Sequence, residues 1–366
     1  MPRRSYSKPT INDVATKAGV SITTVSHFVS GRSGTCSPET ARRIEGAISS
    51  LHYTPNSLSR GLTQKATRVI GVSVAYPSDE DASPFPDGLW RGINREADTQ
   101  DYALLHYPTS VRDSSDYRVF LDGRVDGLIF SAGISDPRLE RLAETGMPLV
   151  TLSHFDRLPA TCGAVCADED QVVADALSHL WDLGHRRIAH LAGPCDFHAA
   201  PGQLLPSLYP ADQALKRRQA FRTWMVTQGV SDPLVSASNI LWRPTCVAIT
   251  LAAWATLPEP PTAFFCANDL IALGAIEAAQ AMGLRVPEDL SVVGVDNSIN
   301  AAKSDPPLTT IDLDIAVLGR EALRSLLRLM DGASVSECRT EFPVSQVVVR
   351  ASTAPAPASS SLRNKK

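Results

Sequence analysis

The chain has 366 residues, of which 43% are hydrophobic and 20% are charged. These fractions are typical of globular proteins and exclude a chain that is disordered throughout. The length predicts two or three domains, and the absence of a run of about 18 apolar residues argues against a membrane-spanning helix. The first ten residues carry charge without an apolar stretch behind them, so we expect no secretory signal and a cytoplasmic location.

The seven cysteines are scattered along the chain, and no Cys-x-x-Cys pair occurs. Cys162 and Cys166 are the one close pair, and neither a second cysteine pair nor a histidine pair accompanies them. This pattern favours reduced, mostly buried thiols over a zinc site. Neither a metal ligand nor a cofactor is predicted from the sequence.

Charge is distributed unevenly along the chain. Residues 1–68 carry ten Lys or Arg and three Asp or Glu, a net charge of +7, so the other 298 residues carry −11. A small basic module on a larger acidic body predicts that the N-terminal part binds a polyanion. Charge alone would equally fit a solvated basic face, so the local sequence has to decide.

Three helices are predicted in this basic segment. Thr10 and Asp13 fit a capping box with Asp in place of Glu, which begins the first helix. Ser21 can cap a second helix at about 22–29, and Ser37, followed by a proline and an acid, begins a third. Two helices joined by a tight glycine turn and followed by a third indicate a helix-turn-helix module.

The second helix of such a module lies in the major groove of DNA. Ile22 can contact a thymine methyl group, and Thr23 and His27 can exchange hydrogen bonds with base edges. The hydroxyls that can bind phosphates and so set the register are those of Ser21, Thr24 and Ser26. The alternative is a three-helix bundle that binds no nucleic acid.

The motif TINDVATKAGVSITTVSHFVSG, followed by SPETARRIEGAISSLHYTPNSLSRGL, resembles the DNA-binding headpiece of the LacI/GalR family of bacterial transcription regulators. The family often has Arg where this chain has His27, and Asn where it has Ser30. Both positions lie at the groove in the family, so the resemblance implies an operator sequence that differs from the usual one. The headpiece is expected to span residues 8–54.

The resemblance also implies a hinge helix and linker over residues 55–68. In the family, two such helices enter the minor groove, and a leucine matching Leu62 wedges between base pairs. Gly61 replaces a helix former and lowers the helix propensity. The DNA contacts expected outside the second helix are Thr10, Ser30, Tyr53, Asn56, Ser59 and Leu62.

From Val69 onward, short apolar runs alternate with helical stretches. This alternation predicts parallel, doubly wound α/β units, and the length favours two Rossmann-like subdomains. The predicted strands are 69–75, 102–107, 127–131, 148–152, 164–167, 187–193, 262–267 and 290–296. The predicted helices are 87–99, 169–183, 211–228, 268–282 and 314–330.

The family resemblance continues through segments such as LGHRRIAHLAGP and TAFFCANDLIALGAIEAAQAMGL, and implies a periplasmic-binding-protein-like effector and dimerisation domain over residues 69–350. In such a domain the chain crosses three times between two subdomains. The implied N-subdomain is about 69–164 and 296–325, and the implied C-subdomain is about 165–293 and 326–350. The low-complexity tail at 351–366 is predicted to be disordered, and without leucine heptads it predicts no tetramer-forming coiled coil.

An effector cleft is expected at the carboxyl ends of the strands, where α/β sheets bind ligands. The resemblance implies that the effector-binding residues are Phe85, Asp87, Arg217, Trp242, Asn268 and Asp296. Asn268 has a simpler alternative role as a helix N-cap. The segment 195–211, which is longer than in the family, is either a lid over the cleft or a surface loop.

Sequence motifs of common enzymes, such as GxSxG, the P-loop, HExxH and GxGxxG, do not occur, so an enzyme is not expected. A free-standing solute-binding protein is disfavoured by the attached headpiece. The sequence therefore predicts a ligand-responsive repressor that binds a palindromic operator on double-stranded DNA as a homodimer. Its expected effector is a sugar, with a nucleobase that acts as co-repressor as the alternative, and no membrane partner is expected.

Overall fold

The computed structural model of the chain describes residues 9–29, 36–54, 66–74, 84–107, 116–130, 137–152, 154, 158–193, 211–236, 244–343 and 346–357. The chain divides into two units, Met1–Arg68 and Val69–Lys366. Within the described residues, the helices are all too short or too polar to cross a bilayer.

The described part of the headpiece forms three helices, α1 (Ile11–Ala18), α2 (Ile22–Val29) and α3 (Pro38–Leu51). The predicted capping box is present: the backbone N–H of Thr10 donates to Asp13 Oδ2 at 2.7 Å, and the backbone N–H of Asp13 donates to Thr10 Oγ1 at 3.3 Å. Gly19 ends α1 at φ 65°, a conformation that glycine adopts without strain. Ser37 caps α3 by accepting the N–H of Thr40 at 3.2 Å.

The apolar faces of the three helices form one small core. Its fully or nearly buried side chains are Val14, Ala15, Ala18, Val25, Ile44 and Ala47. Each helix contributes at least one of them, and α2 is held in this core by Val25 and packs on α1.

The first sheet of the large unit has six parallel strands. They are β1 (Val69–Ser73), β2 (Ala103–His106), β3 (Gly127–Phe130), β4 (Leu149–Thr151), β5 (Gly163–Ala167) and β10 (Arg339–Phe342), in the order β10-β5-β4-β3-β1-β2. Every residue of β3, β4 and β5 is buried. Continuous burial of this kind is typical of parallel strands that are covered on both faces.

The second sheet has five strands. They are β6 (Ile188–Leu191), β7 (Ala263–Cys266), β8 (Ser291–Val295), β9 (Thr309–Asp312) and β11 (Gln346–Val348), in the order β11-β9-β8-β7-β6. The strands β6 to β9 run parallel, and β11 pairs with β9 in the antiparallel direction.

Helices cover both sheets. They are α4 (Pro84–Thr99), α5 (Pro137–Glu144), α6 (Glu169–Asp182), α7 (Ala211–Thr227), α8 (Pro244–Ala255), α9 (Asp269–Ala281), α10 (Ile299–Lys303) and α11 (Ile315–Met330). Among the described residues, short 3-10 helices lie at Tyr117–Phe120 and Val335–Cys338. The architecture is therefore the predicted one, a helical headpiece followed by two α/β subdomains.

The expected subdomain boundaries near residues 296 and 325 are wrong. The strand β9 pairs with β8 and belongs to the second sheet, although it lies inside the expected segment 296–325 of the N-subdomain. The chain then crosses to the first sheet at Leu313 and Asp314, and α11 packs on β3, β4 and β5. The strand β10 stays on the first sheet beside β5, so the segment 326–350 divides between the two sheets.

The expectation of a disordered tail is wrong for residues 351–357. Ser352 is fully buried: its hydroxyl donates to the carbonyl oxygen of Val292 at 2.6 Å and accepts the N–H of Thr309 at 2.8 Å. The N–H of Ala356 donates to the carbonyl oxygen of Leu183 at 2.8 Å. These bonds fix the segment on the second sheet, and residues 358–366 lie outside the described part of the chain.

Candidate functional site

The first turn of α2 is exposed on the surface of the headpiece. Ile22 is a large apolar side chain that is 50% exposed, and Thr23 beside it is also exposed, whereas Val25 is fully buried. Apolar burial near the middle of the helix and exposure at its start are what a recognition helix requires, because its first turn meets the bases. Ser26 and His27 lie one turn later and are half-buried.

Several predicted DNA contacts also have a structural role in the headpiece. The backbone N–H of Thr24 donates to Ser21 Oγ at 3.1 Å, and the two hydroxyl oxygens lie 2.8 Å apart. Thr10 belongs to the capping box described above, and Tyr53 is half-buried against the headpiece core. The remaining predicted contacts, at Ser30, Asn56, Ser59 and Leu62, lie outside the described residues, as does the hinge helix.

Polar residues follow three strands of the large unit at their carboxyl ends. Glu169 comes two residues after β5, Asn268 two residues after β7, and Asp296 directly after β8. All three are buried, as is Arg217 on α7. Charged groups gathered at this end of parallel strands occupy the position at which open α/β sheets bind ligands.

Arg217 is held by two partners from different elements. Its Nε lies 2.6 Å from Glu169 Oε2 and its Nη2 lies 2.9 Å from Glu169 Oε1, which makes a bidentate ion pair. Its Nη1 donates to the carbonyl oxygen of Ala267. Arg217, which was predicted to bind the ligand, therefore connects the ends of β5 and β7. Its three hydrogen bonds to Glu169 and Ala267 are all made to protein atoms.

Two buried carboxyl groups lie near this ion pair. Asp269 Oδ2 accepts the N–H of Ser298 at 2.6 Å, and Asp269 Oδ1 accepts the hydroxyl of Thr310 at 2.5 Å. Burial raises the pKa of Asp269 to about 6, although these two hydrogen bonds oppose the rise. Burial, and secondly the charge of Asp269, raises the pKa of Asp296 well above its ordinary value, while Arg217 acts in the opposite direction.

The backbone at Asp296 is unusual, because its φ is 116° in a residue that has a side chain. Few non-glycine residues adopt this region, and those that do cluster at ligand-binding and active sites. A strained, buried aspartate between an arginine and a second carboxyl group is therefore the strongest mark of a functional site in this unit.

The other predicted effector residues have different outcomes. Asn268 has the capping role: its Oδ1 accepts the N–H of Ile271 at 2.9 Å at the start of α9. Asp87 lies on α4 with a largely exposed side chain, 3.6 Å from Arg91. Phe85 is in the first turn of α4, but its side chain is outside the described part of the structure, and so are Trp242 and most of the segment 195–211.

Two residues of this cluster were missed by the sequence argument. Glu169 is the first residue of α6 and Asp269 is the first residue of α9, and Asn268, which precedes Asp269, is the cap of that helix. Their partners, Arg217 and Thr310, are 48 and 41 residues away in sequence. One available signal was that Glu169 and Asp269 each follow a buried strand by two or three residues.

Comparison with known proteins agrees with both halves of this architecture. Residues 10–56 match the bacterial regulatory proteins of the lacI family, and residues 177–353 match a periplasmic binding protein-like domain. The chain is 32% identical over 356 residues to the HTH-type transcriptional regulator DegA of Bacillus subtilis, an alignment that covers 95% of this chain and 99% of DegA. The chain belongs to the LacI family of bacterial transcriptional regulators.

Solved structures of transcriptional regulators are similar over nearly the whole chain. The lac repressor dimer bound to operator and the anti-inducer ONPF has a TM-score of 0.78 and 27% identity, and the alignment covers 95% of this chain and all of that one. The complex of the regulator CelR with cellobiose has a TM-score of 0.64 and 28% identity, with 94% and 99% coverage. This LacI-family chain is a ligand-responsive transcriptional regulator, and the expectation that it is not an enzyme agrees with its relatives.

Proposed function

We propose that this protein is a repressor that binds a palindromic operator as a homodimer and releases or strengthens that binding when a carbohydrate enters the large unit. The observation that carries the proposal is the pairing of an exposed recognition turn with a strained, buried Asp296 at the ends of the strands. The first can recognise DNA, and the second can recognise a polar ligand.

The DNA-binding half of the proposal depends on the headpiece. Ile22 and Thr23 are exposed at the start of α2, where they can reach base edges, and the segment 1–68 has a net charge of +7. Neutralising phosphates releases counterions, so operator affinity should fall steeply with salt concentration. A dimer presents two such helices with two-fold symmetry, which requires a palindromic site.

The effector half depends on the cluster at the strand ends. A sugar offers several neutral hydroxyl groups, each of which can donate and accept, and buried carboxyl groups such as Asp296 bind them well. A ligand there would contact elements of the second sheet close to the points where the chain crosses from the first sheet. The CelR complex contains cellobiose, and the similarity of the two folds supports a carbohydrate in this chain also.

Ligand and operator affinities are coupled in this proposal. A ligand that bridges the two sheets favours one relative orientation of them, and the operator favours one spacing of the two headpieces. Because coupling free energies are reciprocal, operator DNA must change ligand affinity by the same factor as ligand changes operator affinity. Whether the ligand weakens or strengthens operator binding follows from which orientation it selects.

Operator binding is tested with the purified protein and DNA from upstream of its own gene. We expect a shifted complex that contains two chains, and a selected binding motif that is palindromic. The variant His27→Arg should change the preferred base at one position of each half-site, because a guanidinium pairs well with guanine. Identical motifs for both proteins would show that His27 does not contact the bases.

Effector binding is tested by a melting-temperature screen of sugars, sugar phosphates and purines. We expect a sugar to stabilise the wild-type protein, and Asp296→Asn to weaken the binding of that sugar by the loss of one hydrogen bond to the carboxyl group, about 0.5–1.5 kcal/mol. Asp182→Asn, an exposed change of the same kind at the end of α6, is the control. Stabilisation by a purine in place of sugars would make a nucleobase the effector, and an unchanged affinity in Asp296→Asn would move the site elsewhere.

The hinge is a separate part of the proposal, and it rests on the sequence resemblance because residues 55–65 are not described. We propose that Leu62 wedges into the central base step of the operator. Leu62→Ser should then abolish operator bending, measured by fluorescence transfer between labelled DNA ends, and leave ligand-induced stabilisation unchanged. Persistent bending in the variant would exclude the wedge.

A further inference from the structure

Three side chains that commonly bind transition metals meet at the carboxyl end of the first sheet. Cys166 lies on β5, Glu341 lies on β10, and His154 follows β4 by three residues. His154 Nδ1 is 3.5 Å from Cys166 Sγ and 3.7 Å from Glu341 Oε1, and one ligand atom from each of the three lies within 4.8 Å of the others.

Strand pairing brings two of these residues together. Cys166 and Glu341 are direct partners in the parallel register of β5 and β10, so their side chains are on the same face of the sheet. Arg339 fixes that register further, since its guanidinium donates to the carbonyl oxygens of Cys162 and Pro159 at 3.1 and 2.8 Å. The position of these two residues side by side on one face is therefore set by the backbone.

Two of the separations are close to the edges of a small coordination polyhedron. Zinc binds nitrogen at about 2.0–2.1 Å and sulfur at about 2.3 Å, so tetrahedral ligands lie roughly 3.4–3.6 Å from one another. The nitrogen–sulfur distance of 3.5 Å agrees with this range, and the nitrogen–oxygen distance of 3.7 Å is about 0.3–0.4 Å longer than expected for two atoms that are each bound at about 2.0–2.1 Å. An ordinary ion pair between His154 and Glu341 would bring nitrogen and oxygen closer, to about 2.8 Å.

We propose that His154, Cys166 and Glu341 bind a divalent transition metal of the zinc class. Imidazole, thiolate and carboxylate form a mixed ligand set that zinc accepts, and three protein ligands leave one position for water or a ligand. The His154 and Cys166 side chains are buried, and Glu341 is 39% exposed, which gives the ion a route from solvent. The site cannot be predicted from the sequence, because its three residues come from separate segments.

The site would lie where the chain leaves the first sheet. After Cys166, β5 ends at Ala167 and α6 follows, and after Glu341, β10 ends at Phe342 and β11 follows on the second sheet. A bound ion would therefore connect β5 and β10 to the segment that follows β4. The chain makes two of its three crossings between the sheets after these two strands. Because the unfolded chain lacks this arrangement, the ion should raise the melting temperature of the large unit.

The test uses the full chain and Co²⁺, a spectroscopic substitute for zinc. We expect one Co²⁺ per chain to give tetrahedral visible bands and a thiolate-to-metal charge-transfer band, both displaced by Zn²⁺. Cys162→Ser is the matched control, because Cys162 is equally buried beside β5 but does not belong to the cluster. It should keep the charge-transfer band, whereas Cys166→Ser should lose it.

Glu341→Gln separates metal binding from folding, because this side chain is partly exposed and its loss should not unfold the sheet. We expect at least about a tenfold loss of Co²⁺ affinity, with the metal-free melting temperature unchanged. The proposal is overturned if the wild-type protein binds no Co²⁺ with one-to-one stoichiometry, if the charge-transfer band persists in folded Cys166→Ser, or if Glu341→Gln binds Co²⁺ as tightly as the wild type.

Discussion

Arg217 and Glu169 form a buried, bidentate ion pair between α7 and the first residue of α6, with N–O distances of 2.6 and 2.9 Å. Less than a tenth of the surface of either side chain is exposed. The ion pair connects the end of β5 to the second subdomain. A third hydrogen bond of Arg217, to the carbonyl oxygen of Ala267, reaches the end of β7. The guanidinium is therefore part of the structural frame of the candidate site.

Removing one partner of this pair should cost much more stability than removing both. Arg217→Met leaves the Glu169 carboxylate buried without its cation, which we expect to lower the free energy of unfolding of the large unit by about 3–5 kcal/mol. The double variant Glu169→Leu, Arg217→Met should recover most of that loss. Urea denaturation of the four proteins of this cycle measures the coupling, and an additive double variant would mean that the pair contributes no coupling.

Acid should destabilise the large unit partly through His190. This ring is fully buried, stacks on Phe221 and Phe265, and lies 2.9 Å through Nδ1 from the carbonyl oxygen of Phe265. Burial lowers the pKa of His190 to about 3, against an ordinary value of 6.5. Between these two pH values the unfolded chain binds the proton and the folded chain does not, so stability is lost as the pH falls from 6.5 towards 3.

The slope for one such histidine approaches about 1.4 kcal/mol per pH unit. His190→Phe keeps the aromatic stack and removes the titration, so the pH dependence of its unfolding free energy should be shallower by about that amount between pH 4 and 6. The comparison is between slopes, because the larger ring also changes packing. Parallel curves for the two proteins would show that His190 does not carry the effect.

Features that depend on a few neighbouring residues could be predicted from the sequence. The capping box at Thr10, the cap at Ser37 and the strand-ending Asp296 each follow from local residue patterns, and the structure contains all three. Alternating apolar segments likewise predicted most strands of both sheets. Such features are local because a cap or a buried strand is specified within about ten residues.

Features that depend on distant partners could not be predicted. The strands β9, β10 and β11 are three or four residues long. Each forms by pairing with another strand, and its own sequence does not specify that partner. The ion pair of Glu169 with Arg217 spans 48 residues, and the burial of Ser352 depends on Val292, 60 residues away. The composition of the tail predicts disorder, because composition alone does not show that the folded second sheet binds this segment.

The bonds of the C-terminal segment predict where the chain can be shortened. A chain that ends at Pro357 retains the buried hydroxyl of Ser352 and the bond between Ala354 and His185, whose carbonyl oxygen and Nε2 are 3.0 Å apart. A chain that ends at Arg350 loses these bonds together and should be less stable by at least about 3 kcal/mol. Melting curves of the two chains test this, and equal stability would mean that the segment contributes nothing to folding.

Within that segment, Ser352→Ala isolates one side chain. The change removes a donor to Val292 and an acceptor for Thr309 while both backbone groups stay buried, so we expect a loss of about 1–3 kcal/mol. Ser336→Ala, on the surface of the 3-10 helix before β10, is the control and should cost far less. Similar losses in the two variants would contradict the buried-bond explanation.

Two glycines in helices should respond to alanine in opposite directions. A methyl group at Gly92 in α4 would collide with the backbone of α11, at the carbonyl oxygen of Ala316 and the nitrogen of Arg320. Backbone atoms cannot rotate away as a side chain can, so the helices must separate, at a cost of about 1–3 kcal/mol. Gly46 in α3 has no atom within 4 Å of that position, and alanine there should stabilise the headpiece by about 0.5–1 kcal/mol through helix propensity.

The two substitutions fall in different units, so the melting transitions of the headpiece and of the large unit must be followed separately. We expect Gly92→Ala to lower the transition of the large unit and Gly46→Ala to raise that of the headpiece. Gly319→Ala is a second test of the same helix contact, because its methyl group would meet the carbonyl oxygen of Leu89 from the other side. If Gly92→Ala and Gly319→Ala both melt like the wild type, α4 and α11 do not pack as closely as the structure describes, and the covering of the first sheet would need a different explanation.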